Sequence, residues 1–371
     1  MQILSTELVE DLARQAGFSA AGIAAVPEPG SPEDAEERAR FDGWVDDGRA
    51  GEMEYLKRRD EAGALMRSSV RVALPWARSV IVCAASYNSA QPRSTDPAPA
   101  GAGWIARYAW SSNGERPTDY HKVLLRRLES LRDALSGAVG PFKSRCFVDT
   151  GPVVERVYAR YAGIGWTGKN TCILNQKLGS WLFLGVIVTS LEAARPATLQ
   201  VAADRCGSCT RCIEACPTGA LTGPRQMDAT RCIAYLTIEK RGAIVEELRP
   251  QIGRQIFGCD ICQDVCPWNR RAPVGSDPQL APREALVNPA LHWLAAMDEP
   301  QWERWFNGSP VRRAKFSGFR RNLAIAMGNS GQAQFEPILR AWTSDSDPVV
   351  AESARWALDQ LAAQDTAYRR G

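Results

Sequence analysis

Residues 205–217 read RCGSCTRCIEACP and residues 255–267 read QIFGCDICQDVCP. Eight of the eleven cysteines fall between Cys206 and Cys266. Cys206, Cys209, Cys212 and Cys216, followed by Pro217, have the bacterial ferredoxin spacing C-x2-C-x2-C-x3-C-P. In that pattern three thiolates wrap one iron-sulfur cube and the fourth reaches a second cube. The partner run is Cys259, Cys262, Cys266 and Pro267, with Ile256 where its leading cysteine belongs; Cys232, upstream, is the substitute. The exchange assigns Cys206, Cys209, Cys212 and Cys266 to one 4Fe-4S cluster, and Cys216, Cys232, Cys259 and Cys262 to the other. Structural zinc also uses C-x2-C pairs, but zinc ribbons separate their pairs by a longer loop. Cys83, Cys146 and Cys172 lie in or near apolar stretches and read as small core residues.

Outward from this module the chain changes character twice. Before it, Ser79–Tyr87 (SVIVCAASY), Arg145–Val148 and Ser180–Thr189 read as buried strands, and His121–Ala134 carries Val123, Leu124, Leu128 and Leu131 at helical spacing. Residues 1–75 read as helical and polar. Strands alternating with helices make residues 1–200 an α/β layered domain. Residues 201–275 hold the ferredoxin-like module, running into a Pro-rich linker. Residues 276–371 turn all-helical: Phe319, Leu323 and Met327 form one apolar stripe, Phe335, Ile338, Leu339 and Trp342 a second, and Val350, Ala354, Ala357, Leu358 and Leu361 a third. Asp347 before Pro348 is a helix cap with proline in the first turn. Such paired amphipathic helices resemble HEAT-like repeats.

With 371 residues, 45% hydrophobic and 23% charged, the composition is that of a globular protein of two or three domains. The net charge of +3 leaves any nucleic-acid contact to a local patch. The terminus MQILSTELVEDLARQAG lacks the basic-then-apolar order of an export leader, and the longest apolar run, Trp181 to Val188, is too short to span a bilayer. These features place the protein in the cytoplasm, as a monomer with no membrane contact. There, crowded cysteines read as metal ligands and not as disulfides.

Two motifs come close without matching. GIGWTGKN, at 163–170, nearly repeats a P-loop, but Asn170 stands where a hydroxyl must bind magnesium. Asp119, Tyr120 and His121 begin like a cobalamin-binding Asp-x-His-x-x-Gly motif, but Leu124 replaces the glycine, which removes support for a histidine ligand to cobalt. His121 and His292 are the only histidines, too few for a multi-histidine metal site.

GEMEYL at 51–56, LPWARSVI at 74–81, DYHKVL at 119–124, VDTGPVVER at 148–156, GIGWTGKNTCILN at 163–175, LGSWLFLG at 178–185, both cysteine runs and GSPVRRAKFSGFRRNLAIAMGN at 308–329 together resemble the epoxyqueuosine reductases. The resemblance implies cobalamin over the first domain, two 4Fe-4S clusters feeding it from an unidentified electron donor, and reduction of epoxyqueuosine in tRNA to queuosine. It implies Asp149 as proton donor. Bottom-up, a carboxyl ending a buried strand beside Phe147 and Val148 has its charged form disfavoured; Asp-Thr-Gly-Pro is also ordinary turn chemistry. By the same transfer Arg67, Ala106, Asp149, Lys169, Asn170, Ile173 and Leu184 contact the corrin. The segment SSNGERPT at 111–118 is longer than the family's usual link.

Arg312, Arg313, Lys315, Arg320 and Arg321 place five cations in ten residues without an acid, enough for a phosphate-binding patch on the tRNA anticodon stem-loop. Lys240 and Arg241 are further candidates. Two rivals remain: a cobalamin-dependent reductive dehalogenase, disfavoured by the absent leader and the basic tail, and a ferredoxin-like carrier with a docking module.

Overall fold

The computed structural model describes residues 3–114, 117–193 and 201–370. The domain boundary expected at residue 200, and residues 115 and 116 of the 111–118 segment, lie outside the described residues. Six strands matter here: β1 (Ala20–Ala25), β2 (Ser79–Ser86), β3 (Trp104–Ile105), β4 (Ser144–Phe147), β5 (Leu182–Thr189) and β6 (Gln255–Phe257). A four-stranded sheet has the order β1-β2-β5-β4, and each of its pairings is antiparallel.

Every residue of β2 is buried because both faces of the sheet are covered. Side chains alternate along a strand. Ile81 and Cys83 therefore join Ile187 against helices α1 (Thr6–Gln15) and α2 (Tyr120–Val139). Val80, Val82 and Ala84 join Val186 and Val188 against α3 (Glu155–Tyr161). Strand β1, inside the stretch that reads as helical, was hidden by its composition, AAGIAA. The structure explains the small residues: a side chain on Gly22 would meet the carbonyl oxygen of Ala162 at 2.2 Å.

β3 pairs in parallel with β6, which ties the first domain to the cysteine module. One core continues from that pair into the tail, holding Trp104, Trp110 and Phe257 together with residues of the last helices. Those helices are α4 (Lys315–Asn329), α5 (Glu336–Trp342) and α6 (Pro348–Arg370). The expected stripes face inward: Phe319, Leu323, Met327, Val350, Ala354 and Ala357 are fully buried. The Asp347 carboxylate accepts from the Val349 amide at 2.9 Å, the expected cap. Among the described residues no helix is long and apolar enough to cross a membrane.

Arg321 corrects the reading of the basic run. It is 1% exposed, and its guanidinium donates to the carbonyls of Leu236 (2.6 Å), Lys240 (2.8 Å) and Gly242 (2.8 Å). A buried cation donating to three carbonyls of the cysteine module fastens the tail to it and is out of reach of RNA. Replacing it strands those acceptors, at about 1–3 kcal/mol for each one left unsatisfied. Arg321→Leu should therefore lower the denaturant midpoint of the cluster-loaded protein by an amount worth at least about 2 kcal/mol, while leaving the salt dependence of RNA binding unchanged.

Candidate electron-transfer and catalytic site

The two cysteine runs each end in a short helical turn, Arg211–Glu214 and Ile261–Asp264, and these turns pack together. The electrostatic neighbours of the thiols sort them. Cys212 is influenced by Cys206 and Cys209, and Cys266 by Cys206 and Cys212. Cys232 is influenced by Cys216, Cys259 by Cys232 and Cys216, and Cys262 by Cys172 first and then by Cys259 and Cys232. Cys172 is a neighbour of both groups, through Cys232 and Cys262 on one side and Cys266 on the other. Burial pushes the Cys232 and Cys259 thiols up, so without a metal they hold their protons, whereas cluster ligation takes thiolate. Ile256, at the position of the missing cysteine, is fully buried on β6 and lies so close to Gly103 that a side chain there would meet its Cδ1 at 2.4 Å. That position is committed to joining the domains.

Cys266 packs with Trp166 and Leu174, and Trp268 crosses Trp166 edge-on at 5.0 Å. Cys232 and Cys259 lie instead against the core around Ile233 and Leu236, beside Trp44 and Met227. Cys172 departs from the core-residue reading: its thiol is within hydrogen-bonding reach of Cys262, whereas Cys83 is buried in the sheet as expected. Lys169 donates to the Gly207 carbonyl at 2.7 Å and Asn170 to the Cys262 carbonyl at 3.4 Å, so the loop that resembles a P-loop braces the cysteine runs.

Beside Cys172 opens a cavity of about 730 Å³ whose lining includes Arg67, Asp149, Glu155, Arg156, Thr171 and Arg225. Of the residues expected to contact a corrin, Arg67 and Asp149 line it; Ala106, Lys169, Asn170, Ile173 and Leu184 do not. Ala106 is 1% exposed and Ile173 4%, and both serve packing. The sequence reading missed Tyr55, Glu155 and Arg156, although all three sit inside the quoted motifs. Tyr55 also lines the cavity, its ring flanked by Arg67 at 5.4 Å and Arg313 at 5.3 Å, a cation–π arrangement on a single ring.

Asp149 follows β4 in a turn, with φ of 55°. The turn needs Gly151, where any side chain would meet the Phe147 ring at 2.4 Å. The carboxylate accepts a short hydrogen bond from the Tyr120 hydroxyl, and Arg67 donates to the Asp149 carbonyl at 3.4 Å. The side chain is 50% exposed, so burial does not play the part the strand-end position suggested. The buried carboxyl is Glu155. Desolvation, then the charge of Asp149, pushes it up to about 7, and its Oε1 has no hydrogen-bond partner among the described residues.

The basic candidates are mostly paired by acids from elsewhere in the chain, which a run free of acids conceals. Arg313 pairs with Glu239 at 2.6 Å, and Arg320 with Asp345 at 2.6 Å while lying over Trp342. Lys240 pairs with Glu52, and Arg241 is held by the carbonyls of Ile238 and Arg313. Arg312 reaches Glu303 only at 3.5 Å and is exposed, as is Lys315. Arg313 lines the cavity, so this segment borders its mouth.

Residues 67–150 match the family model described as "Epoxyqueuosine reductase QueG, DUF1730", and residues 205–269 match that of a 4Fe-4S double cluster binding domain. An epoxyqueuosine reductase of Xanthomonas campestris is 38% identical over 95% of each chain. A crystal structure of an epoxyqueuosine reductase with an epoxyqueuosine-modified tRNA-Tyr stem loop superposes with a TM-score of 0.81 at 28% identity, over 96% of this chain and 89% of that one. A Bacillus subtilis epoxyqueuosine reductase, described with its aspartate catalytic loop swung out of the active site, gives 0.80 at 28% identity over 96% and 90%. The chain belongs to the epoxyqueuosine reductase family.

Proposed function

We propose that this protein reduces epoxyqueuosine at the wobble position of tRNA to queuosine, with cobalamin in the cavity and electrons arriving through two 4Fe-4S clusters. The observation that carries this reading is a junction. Asp149, Arg67 and Thr171 line one cavity, and Cys172, the residue after Thr171, lies against Cys262. A proton donor and the end of an electron path thus meet in one space.

The clusters are held by Cys206, Cys209, Cys212 and Cys266 and by Cys216, Cys232, Cys259 and Cys262, the second set facing the cavity. The donor set suits the corrin: Arg67, Arg156, Arg225 and Thr171 offer cations and a hydroxyl to its amide carbonyls and phosphate, and no histidine is among the lining residues. Bound there, cobalamin would supply a low-valent cobalt that gives the epoxide its two electrons. Asp149 delivers a proton to the epoxide oxygen. Its positive-φ, half-exposed turn suits a loop that can move, as described for the Bacillus subtilis relative.

The tail forms a HEAT-like module that docks the stem-loop, with Arg312 and Lys315 on phosphates and Arg313 at the cavity mouth. We divide the chain into residues 1–200 for cobalamin, 201–275 for the clusters and 276–371 for tRNA. The protein works in the cytoplasm as a monomer, reduced by a separate electron donor. A reductive dehalogenase would leave the basic edge of the cavity without a use, and a carrier would leave the cavity itself without one.

Cobalamin added to the iron-loaded protein should give the absorbance of a bound corrin. With a strong reductant, wild type should convert epoxyqueuosine in a tRNA stem-loop to queuosine. Asp149→Asn should bind the same stem-loop but turn over about 10²–10⁴-fold more slowly, the usual range for a lost general acid; turnover at the wild-type rate would remove Asp149 from the reaction. Arg312→Ala and Lys315→Ala should each weaken stem-loop binding and reduce its salt slope by about one.

A further inference from the structure

Removing an epoxide oxygen as water consumes two protons with the two electrons: epoxide + 2e⁻ + 2H⁺ gives alkene + H₂O. A single carboxyl at Asp149 holds one of them. The second has to come from behind it, and Asp119, Tyr120 and His121 are the residues there.

Asp119 caps α2, and its carboxylate accepts from the His121 amide at 3.0 Å. Capping takes nothing more. Yet the same oxygen also lies 2.6 Å from His121 Nδ1. A carboxylate on Nδ1 fixes the proton there and leaves Nε2 as the atom that exchanges. Burial works against the charged form of Asp119, but its bonds to His121 prevail and hold the carboxyl below the usual range, so it stays an anion that supports an imidazolium. His121 Nε2 is buried, has no hydrogen-bond partner among the described residues, and points at Asp149 Oδ2 from 3.8 Å. The ring is held in that direction by stacking on Tyr120 at 4.0 Å, and Tyr120 in turn stacks on Phe183. A gap of 3.8 Å closes with a small movement of the Asp149 turn or with one water, and such bonds commonly tighten only with substrate present.

We propose that Asp119 and His121 form a proton relay that reloads Asp149, His121 passing a proton from Nε2 to the Asp149 carboxylate after its first transfer. This rests on the role of Asp149 given above. In the relay, Asp149 loses a proton to the epoxide oxygen as the first carbon–oxygen bond breaks. The Nε2–H bond of His121 then breaks as the Asp149 O–H bond re-forms. The second carbon–oxygen bond breaks as the reloaded Asp149 gives the next proton to the hydroxyl so formed, which leaves as water. Solvent returns a proton to His121, and the electrons come only through the clusters. His121 acts through Asp149 and does not touch the substrate. The other charged or titratable groups facing this pair are Tyr120, whose hydroxyl donates to the same Asp149 Oδ2, Lys122 on α2, Glu155 and Arg156 on α3, Arg67 between β1 and β2, and Tyr55 and Tyr108. Glu155 is the rival source of the second proton.

Steady-state kinetics of the cobalamin- and iron-loaded enzyme on epoxyqueuosine stem-loop test this across pH 5.5–9. For His121→Gln we expect kcat to fall about tenfold to a hundredfold with KM for the stem-loop unchanged. The alkaline limb of the wild-type kcat profile should be missing from the variant's profile, and added imidazole should restore part of the rate. Asp119→Asn keeps the cap and removes the anion, so kcat should fall with KM unchanged. Wild-type rate and profile in His121→Gln overturn the relay, as does a slower enzyme with an unchanged profile and no imidazole rescue. Loss of the limb in Glu155→Gln, with its retention in His121→Gln, overturns it in favour of Glu155. Asp149→Asn run alongside separates the two levels: if it is inactive while His121→Gln is normal, only the relay fails.

Discussion

Eight thiols drawn from three separate segments are gathered into one small module, and the rest of the molecule is arranged around keeping them there. Burial disfavours the thiolates of Cys232 and Cys259, so without iron these two keep their protons, whereas cluster ligation takes the thiolate. The surrounding chain accepts the same constraint. Asp260, between two of the cysteines, is fully buried and pushed up to about 7 by desolvation and then by Asp264, yet it accepts from the Arg107 amide at 2.7 Å and from Trp104 Nε1 at 3.1 Å. Together with the β3–β6 pairing, those bonds fix the module against the first domain. On its other side Arg321 and Asn322 of α4 bond to its carbonyls. The tail is thereby built onto the module and does not hang from a free linker.

In the reaction proposed above, that fixation separates two kinds of traffic. Electrons would approach the cavity from the cysteine side, past Cys262 and Cys172. Protons approach from the sheet side, where α2 begins and β4 ends, and Asp149 stands between the two. The two sides are built from different physical materials: soft sulfur packed among tryptophans on one, and a line of hydrogen-bonded oxygen and nitrogen atoms on the other. Arg313 contacts Tyr55 at the same opening, which is where the proposed RNA docking would meet it.

The parts of this arrangement legible in the sequence are those with a fixed spacing. The cysteine runs, the β2 and β5 strands and the apolar stripes of α4 to α6 follow from period and pattern. What stayed hidden depends on partners distant in the chain. Arg321 and Arg320 read as surface cations because their partners, the carbonyls near Leu236 and the carboxylate of Asp345, come from other segments. Asp149 read as buried because its strand read as buried, but β4 is a half-buried edge strand, the turn carries Asp149 out to 50% exposure, and the burial falls on Glu155. Cys172 read as a core thiol because nothing local connects it to Cys262. β1 escaped notice because close packing on Ala162 demands small residues where strand patterns favour branched ones.

The central claim is that the two runs exchange their last ligands, and iron content measured on a double variant tests it most directly. Wild type, purified without oxygen, should hold about eight irons in two cubes, and Cys209→Ser or Cys266→Ser should each leave about four. If Cys266 serves the cube of Cys209, the double variant loses no more than either single one and keeps about four irons with the signal of one cluster. If Cys266 instead serves the cube of its own run, the double variant loses both clusters, and the exchange is contradicted.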